Sequence, residues 1–361
     1  MSINFDAARW KTISNIYNKW WRGELERPII NLTVNYREHN NINSIDIIHP
    51  VSTWLYGMDT PVDIIIKHWD YWLSNKEFVL DSFPMVLPDY GASVNAAFCG
   101  CGVDIRPDTV WYIPEKQWDI TRLKMIQNPE SPMYKRIIDI YKMAADYFNG
   151  SVLLGMTSIE KGIDNVCRFI DSVDMGLALY DHPGDVKRLM WENYGLALFY
   201  IEEIKRIIGP CNPGNSCWGN MYSSEPFSGA QCDFSAMISP EHFKEFILPY
   251  LSAVFKQYPH SNFYHLDGEG ALCHLDMILD IQELKCVQWV PGDGALHPRD
   301  WPDVYKKIAN AQKNIWYIGD LEDLPLIADM LGTAKGLYWF GECDASQVEK
   351  KLRIAEQLGV C

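Results

Sequence analysis

The chain has no apolar run approaching the roughly 20 residues that a membrane-spanning helix needs, and its opening, MSINFDAARWKTISNIYNKW, has no signal-peptide core. The expectation is a cytoplasmic protein with no membrane partner. Basic charge is also scarce: 32 Lys and Arg face 47 Asp and Glu, a net charge of -15, so nucleic acid would be repelled by the average field. No glycine-rich phosphate turn of the dinucleotide or Walker type is present. Internal repeats, low-complexity tracts and interdomain linkers are missing too. The ten cysteines lack the dense spacing of a disulfide scaffold and read as reduced, mostly as small buried hydrophobes.

What is present is an alternation of short apolar strands with amphipathic helices. Between Phe5 and Arg22, Trp10, Ile13, Ile16, Tyr17 and Trp20 recur at helical spacing, and Gly23 ends that helix. Pro28 introduces IINLTV (29–34), rich in β-branched residues, as a first strand. A helix over 61–76 and a broken strand over 83–91 follow, then an irregular excursion between Cys99 and Asp119. Helices are expected from Ser131 to about Phe148, near 162–181 and over 184–208, with a strand at 151–159. In SPEHFKEFILPY, Ser239 caps a helix, Pro240 takes its first position and Glu241 loads its first turn. Strands ending in FYHLD, CVQWV, WYIGD and YWFGEC lead into the remaining helices. Such alternation requires right-handed parallel crossovers, and eight units close most naturally into a (β/α)8 barrel, an α/β fold. A chain of 361 residues suits one such domain over 1–361, with residues 1–27 as a helical extension.

In a barrel the reacting groups stand where strands run into their following loops. The polar residues at those places are Asp89, Asp233, His265, Asp267, Glu269, Gln288, Asp293, Asp320, Glu342, Cys343 and Asp344. His265 and Asp267 are two apart in an extended segment, so both project from one face, and Gly268 and Gly270 let the chain turn afterwards. With the strands in order around a barrel, Cys343 would reach the same mouth. An imidazole, a thiol and a carboxylate with an open fourth position form the donor set of a catalytic zinc ion. The bland alternative is a hydrogen-bonded structural His and a packed Cys. Trp218, Tyr222, Trp289 and Trp339 lie near strand ends, where they could box a methoxyaromatic or methylammonium group, or simply fill the core. Cys99 and Cys101 alone make an incomplete metal site.

The segments QCDFSAMISPEHFKEFILPY, FYHLDGEGALCHLD, YIGDLEDL and YWFGEC resemble the uroporphyrinogen decarboxylase superfamily, most closely its cobalamin-dependent methyltransferase branch. The resemblance covers most of the chain from about Arg9 onward. It implies a barrel zinc on His265 and Cys343, with Asp267 where that branch has a Cys. It also implies methyl transfer between a small methylated substrate or thiol and a corrinoid carried by a partner protein, because no segment here resembles a cobalamin-binding domain. Replacing a thiolate by a carboxylate keeps the charge, removes a soft donor and should leave a stronger Lewis acid. On this reading His265, Asp267 and Cys343 are the metal ligands, and Asp89, Asp233 and His265 the catalytic groups. Trp218, Tyr222, Gln288, Trp289 and Trp339 then contact substrate. The competing expectation is a metal-free decarboxylase acting on a small carboxylate. It would be distinct from uroporphyrinogen decarboxylase itself, whose arginine-rich substrate grip has no counterpart around Arg22 to Arg37.

Overall fold

The computed structural model describes residues 3, 5–36, 50–114, 116 and 118–361; Arg37 lies outside them. Among the described residues eleven strands form: β1 Ile29–Asn35, β2 Lys76–Leu80, β3 Met85–Val86, β4 Gly102–Ile105, β5 Val110–Ile113, β6 Leu153–Leu154, β7 Ser228–Gln231, β8 Asn262–Asp267, β9 Cys286–Val290, β10 Asn314–Trp316 and β11 Leu337–Asp344. The main sheet runs β2-β1-β11-β10-β9-β8-β7. All its pairings are parallel except β1 with β2. This is an α/β architecture of parallel strands and crossover helices.

The expected closed ring of eight strands is not formed by these ladders. β2 runs antiparallel along β1, with Asn31 opposite Leu80 and Asn35 opposite Lys76, and so occupies the edge of β1 that a second parallel strand would need. β3 and β6 pair with each other instead, parallel, as a separate sheet. Single contacts connect the pieces: Asp81 N donates to Ile30 O, and Met156 forms an isolated parallel bridge with Cys217. β4 and β5 form an antiparallel hairpin, which makes the excursion after Cys99 partly regular.

Alternation along the strands sorts side chains into two layers. Ile30, Leu32, Val34, Tyr264, Leu266, Val287, Trp289, Ile315, Leu337, Trp339 and Cys343 pack together with the helices. Ile29, Phe263, Cys286, Trp316 and Tyr338 pack on the opposite face, against Trp10, Ile13, Tyr17, Trp20 and Trp21 of the N-terminal helix, Ala7–Trp21. That helix is held at the strand starts, where Trp20 Nε1 donates to Leu337 O and Asn314 Nδ2 to Trp20 O. The inner face is therefore covered by aromatic rings at its N-terminal end, and polar residues cluster at the other.

Ser239 accepts from His242 N and Pro240 opens the helix as expected. The helix passes through a π segment, Phe243–Ile247, before resuming as Leu248–Gln257. Pro249, which has no N–H to offer the preceding turn, accounts for the altered ladder. No helix among the described residues is long and apolar enough to cross a membrane.

Candidate active site

β7, β8 and β9 place Gln231, His265 and Gln288 in register, as adjacent residues on the inner face. His265 Nδ1 donates to Gln288 Oε1 at 2.5 Å. That bond fixes the tautomer and leaves the Nε2 lone pair free, 3.9 Å from Asp267 Oδ2. Burial lowers the His265 pKa and so favours the neutral imidazole. Gly268, at φ +79°, turns the chain away just after Asp267, as its sequence position suggested.

Asp233 reaches the same spot from the turn after β7. Asp164 accepts from both Asp233 N and Phe234 N, at 2.9 and 3.0 Å, which fixes that turn. One donor atom from each of Asp233, His265 and Asp267 lies within 4.8 Å of the others. A single imidazole nitrogen with two carboxylates suits a divalent cation of borderline to hard character, and the Gln288 contact is the kind of outer support that metal-binding imidazoles use.

Cys343 does not join this group. It packs with the outer layer, on the same side of β11 as Leu337 and Trp339, and burial pushes its thiol pKa up rather than toward the thiolate. The expected ligand set of His265, Asp267 and Cys343 is therefore not assembled, and Asp233 stands with the other two. The reason is strand parity: Tyr338 and Phe340 take the inner face, so Cys343 takes the outer. Glu342 is held by Lys76 of β2 at 2.5 Å, and Asp344 caps the final helix. In a second group, His297, Asp320 and Asp323, one carboxylate is already ion-paired, because Arg299 donates to Asp323 at 3.0 Å.

The other expected contacts divide in the same way. Trp218 lies edge-on to His265, with centroids 5.4 Å apart, and lines the adjoining cavity. Trp289 packs on Trp301 and Trp339 Nε1 donates to Gly319 O, both in the outer layer. Tyr222 is enclosed with Trp10, Tyr17 and Phe83 at the aromatic base, its hydroxyl on Pro213 O. These three are structural.

The cavity has a volume of about 600 Å³, within the range of small-molecule sites, and its lining includes Asp89, Glu160, Lys161, Trp218, Asp233 and His265. Burial lifts the Asp89 carboxyl to about 6. It also raises Glu160, Asp164 and Asp233, each of which further feels a neighbouring carboxylate.

Glu160, Lys161 and Asp164 were missed by sequence reasoning. They belong to TSIEKGID after β6, a stretch with three charges that is nonetheless buried from Ile159 to Asp164. Its signal was the absence of any break between a strand and a charged segment, which reads more simply as a solvated loop. Asn95 Nδ2 donates to Glu160 O and its Oδ1 accepts from Glu160 N, both at 2.9 Å; Asn193 Nδ2 donates to Glu160 O and Gly162 O. The backbone there is clamped from two helices.

No family model matches the chain, and no curated protein matches it. Among solved structures, a methyltransferase from Methanosarcina mazei superposes with a TM-score of 0.61 at 9% identity, over 96% of this chain and 99% of that chain. At that identity the likeness is one of fold, and it extends over essentially the whole of both chains.

Proposed function

We propose that the chain is a methyltransferase in which a divalent cation, zinc by preference, is held by Asp233, His265 and Asp267, and that its architecture is a (β/α)8 barrel interrupted at β2. The observation that carries this is the convergence of three donor atoms within 4.8 Å, two of them from the cavity-lining Asp233 and His265, with His265 already oriented by Gln288. The whole-chain likeness in fold to a methyltransferase supports it, as does the family resemblance of the sequence. When bound, the cation supplies Lewis acidity toward an electron-rich substrate atom.

The chain's own residues do the rest. Trp218 presents an aromatic edge beside His265 and shapes the apolar part of the substrate site. Asp89 can hold a proton near neutrality at the cavity wall and deliver it to the heteroatom that loses its methyl group. The methyl carrier in this reading is a corrinoid on a separate protein, in line with the absence of a cobalamin-binding segment from the sequence.

Elemental analysis tests the metal. Wild type should retain about one equivalent of zinc, and His265→Ala or Asp267→Asn should weaken zinc binding at least about tenfold. Cys343→Ala should keep it. Zinc that is absent from wild type, or lost only with Cys343, would overturn the reading. A metal-free decarboxylase is the second reading, favoured by Asp89 and Glu160 as protonatable carboxyls on the cavity wall. It gains if wild type binds no metal yet releases CO2 from a small carboxylate.

A further inference from the structure

Lys161 is 7% exposed, at the wall of the same cavity as His265. Its ammonium donates to Gly229 O at 3.1 Å, and the Glu160 carboxylate acts on it through space without a hydrogen bond between them. The adjacent carboxylate of Glu160 is engaged elsewhere, accepting from Gly162 N at 2.7 Å. A buried ammonium with one neutral acceptor has unused donors, and burial lowers its pKa against the opposing pull of the nearby Glu160 carboxylate. The clamps from Asn95 and Asn193 hold the backbone from which Lys161 projects. Such preorganisation of an unsatisfied cation is a cost to folding unless a ligand completes it.

We infer that Lys161 is the anchor for a carboxylate on the substrate, so that the molecule entering the cavity is a small carboxylic acid whose reacting group lies away from the carboxylate, toward His265. The inference rests on the reading of this cavity as the substrate site and names the class of substrate. Trp218, on the same cavity wall and edge-on to His265, suits an apolar or aromatic middle. An arriving carboxylate supplies the missing acceptor, and the ion pair so formed is charge-assisted and shielded from water.

The test uses 4-methoxybenzoate and its neutral counterpart 4-methoxybenzamide as probes, with binding read by tryptophan fluorescence on the purified full chain. Wild type should bind the acid about 10- to 100-fold more tightly than the amide, the range expected for a charge-assisted hydrogen bond. Lys161→Met should remove that preference and leave amide binding within about twofold, whereas Lys161→Arg should retain part of it. Zinc content and the urea unfolding transition of each variant report that the fold persists. If Lys161→Met does not fold, Lys161→Gln, which keeps donors without charge, takes its place. Equal affinity for acid and amide in wild type, an unchanged ratio in the Met variant, or no binding of the acid at millimolar concentration overturns the proposal. Loss of the preference in a protein that binds no zinc would sink the metal reading and leave this one standing.

Discussion

Asp89 sits half-buried on the cavity wall, where its carboxylate accepts one backbone N–H, from Gly91, and desolvation raises its pKa to about 6. The native state therefore holds a proton that the unfolded chain gives up near pH 4, so stability falls as pH rises from about 4 to 6 and stays lower above. Asp89→Asn removes that loss. The variant should be more stable than wild type at pH 8, by on the order of 2 kcal/mol, with the difference gone near pH 4; urea titrations at both pH values measure it, and a pH-independent difference would contradict the assignment. His265 and Asp267 were legible in the sequence as a same-face pair because spacing of two in a strand needs no further knowledge. Cys343 was not. Parallel strands are apolar on both faces, so the parity of YWFGEC relative to the interior has no marker in composition, and a cysteine is at home on either side.

At the scale of elements, the stretch from Thr157 to Asp164 is a loop that behaves like core. Asn193 is fully buried, and its amide serves Glu160 O and Gly162 O while its oxygen accepts from Asn165. Asn193→Ala should cost about 2–3 kcal/mol, since it strands several buried partners at once. It should also weaken the acid-over-amide preference that Lys161 confers, and calorimetric unfolding together with the binding ratio checks both. Capped helices were readable: Ser131 with Pro132 and Ser239 with Pro240 start helices where side-chain chemistry dictates. The strand KEFVL was not, because Lys76–Leu80 follows the helix Val62–Ser74 after one residue, with no Gly or Pro break between them and no apolar alternation of its own. β3 and β6 contribute two residues each to a ladder, too few to leave a period.

For the molecule as a whole, the alternation of strands and helices was enough to give the α/β class, while ring closure depended on a pairing that no local pattern encodes. Where β2 displaces a parallel neighbour, the sheet is tied by Asp81, 1% exposed, which accepts from Ile30 N and from Arg27 through both carboxylate oxygens at 2.7 and 2.9 Å. Asp81→Ala leaves a guanidinium and an amide without their acceptor and should cost about 3–5 kcal/mol, seen as a lower denaturation midpoint. The single backbone contacts on either side of β3 and β6 have a dynamic counterpart. A long hydrogen-bonded ladder resists deformation along its length, but the short pair β3 and β6 is tied to the main sheet at single points, and breathing should concentrate there. Amides from Asp81 to Val86 and from Leu153 to Met156 should exchange with deuterium well ahead of those in β8 and β9, so that the cavity wall at Leu154 and Met156 yields while the histidine's own strand stays still.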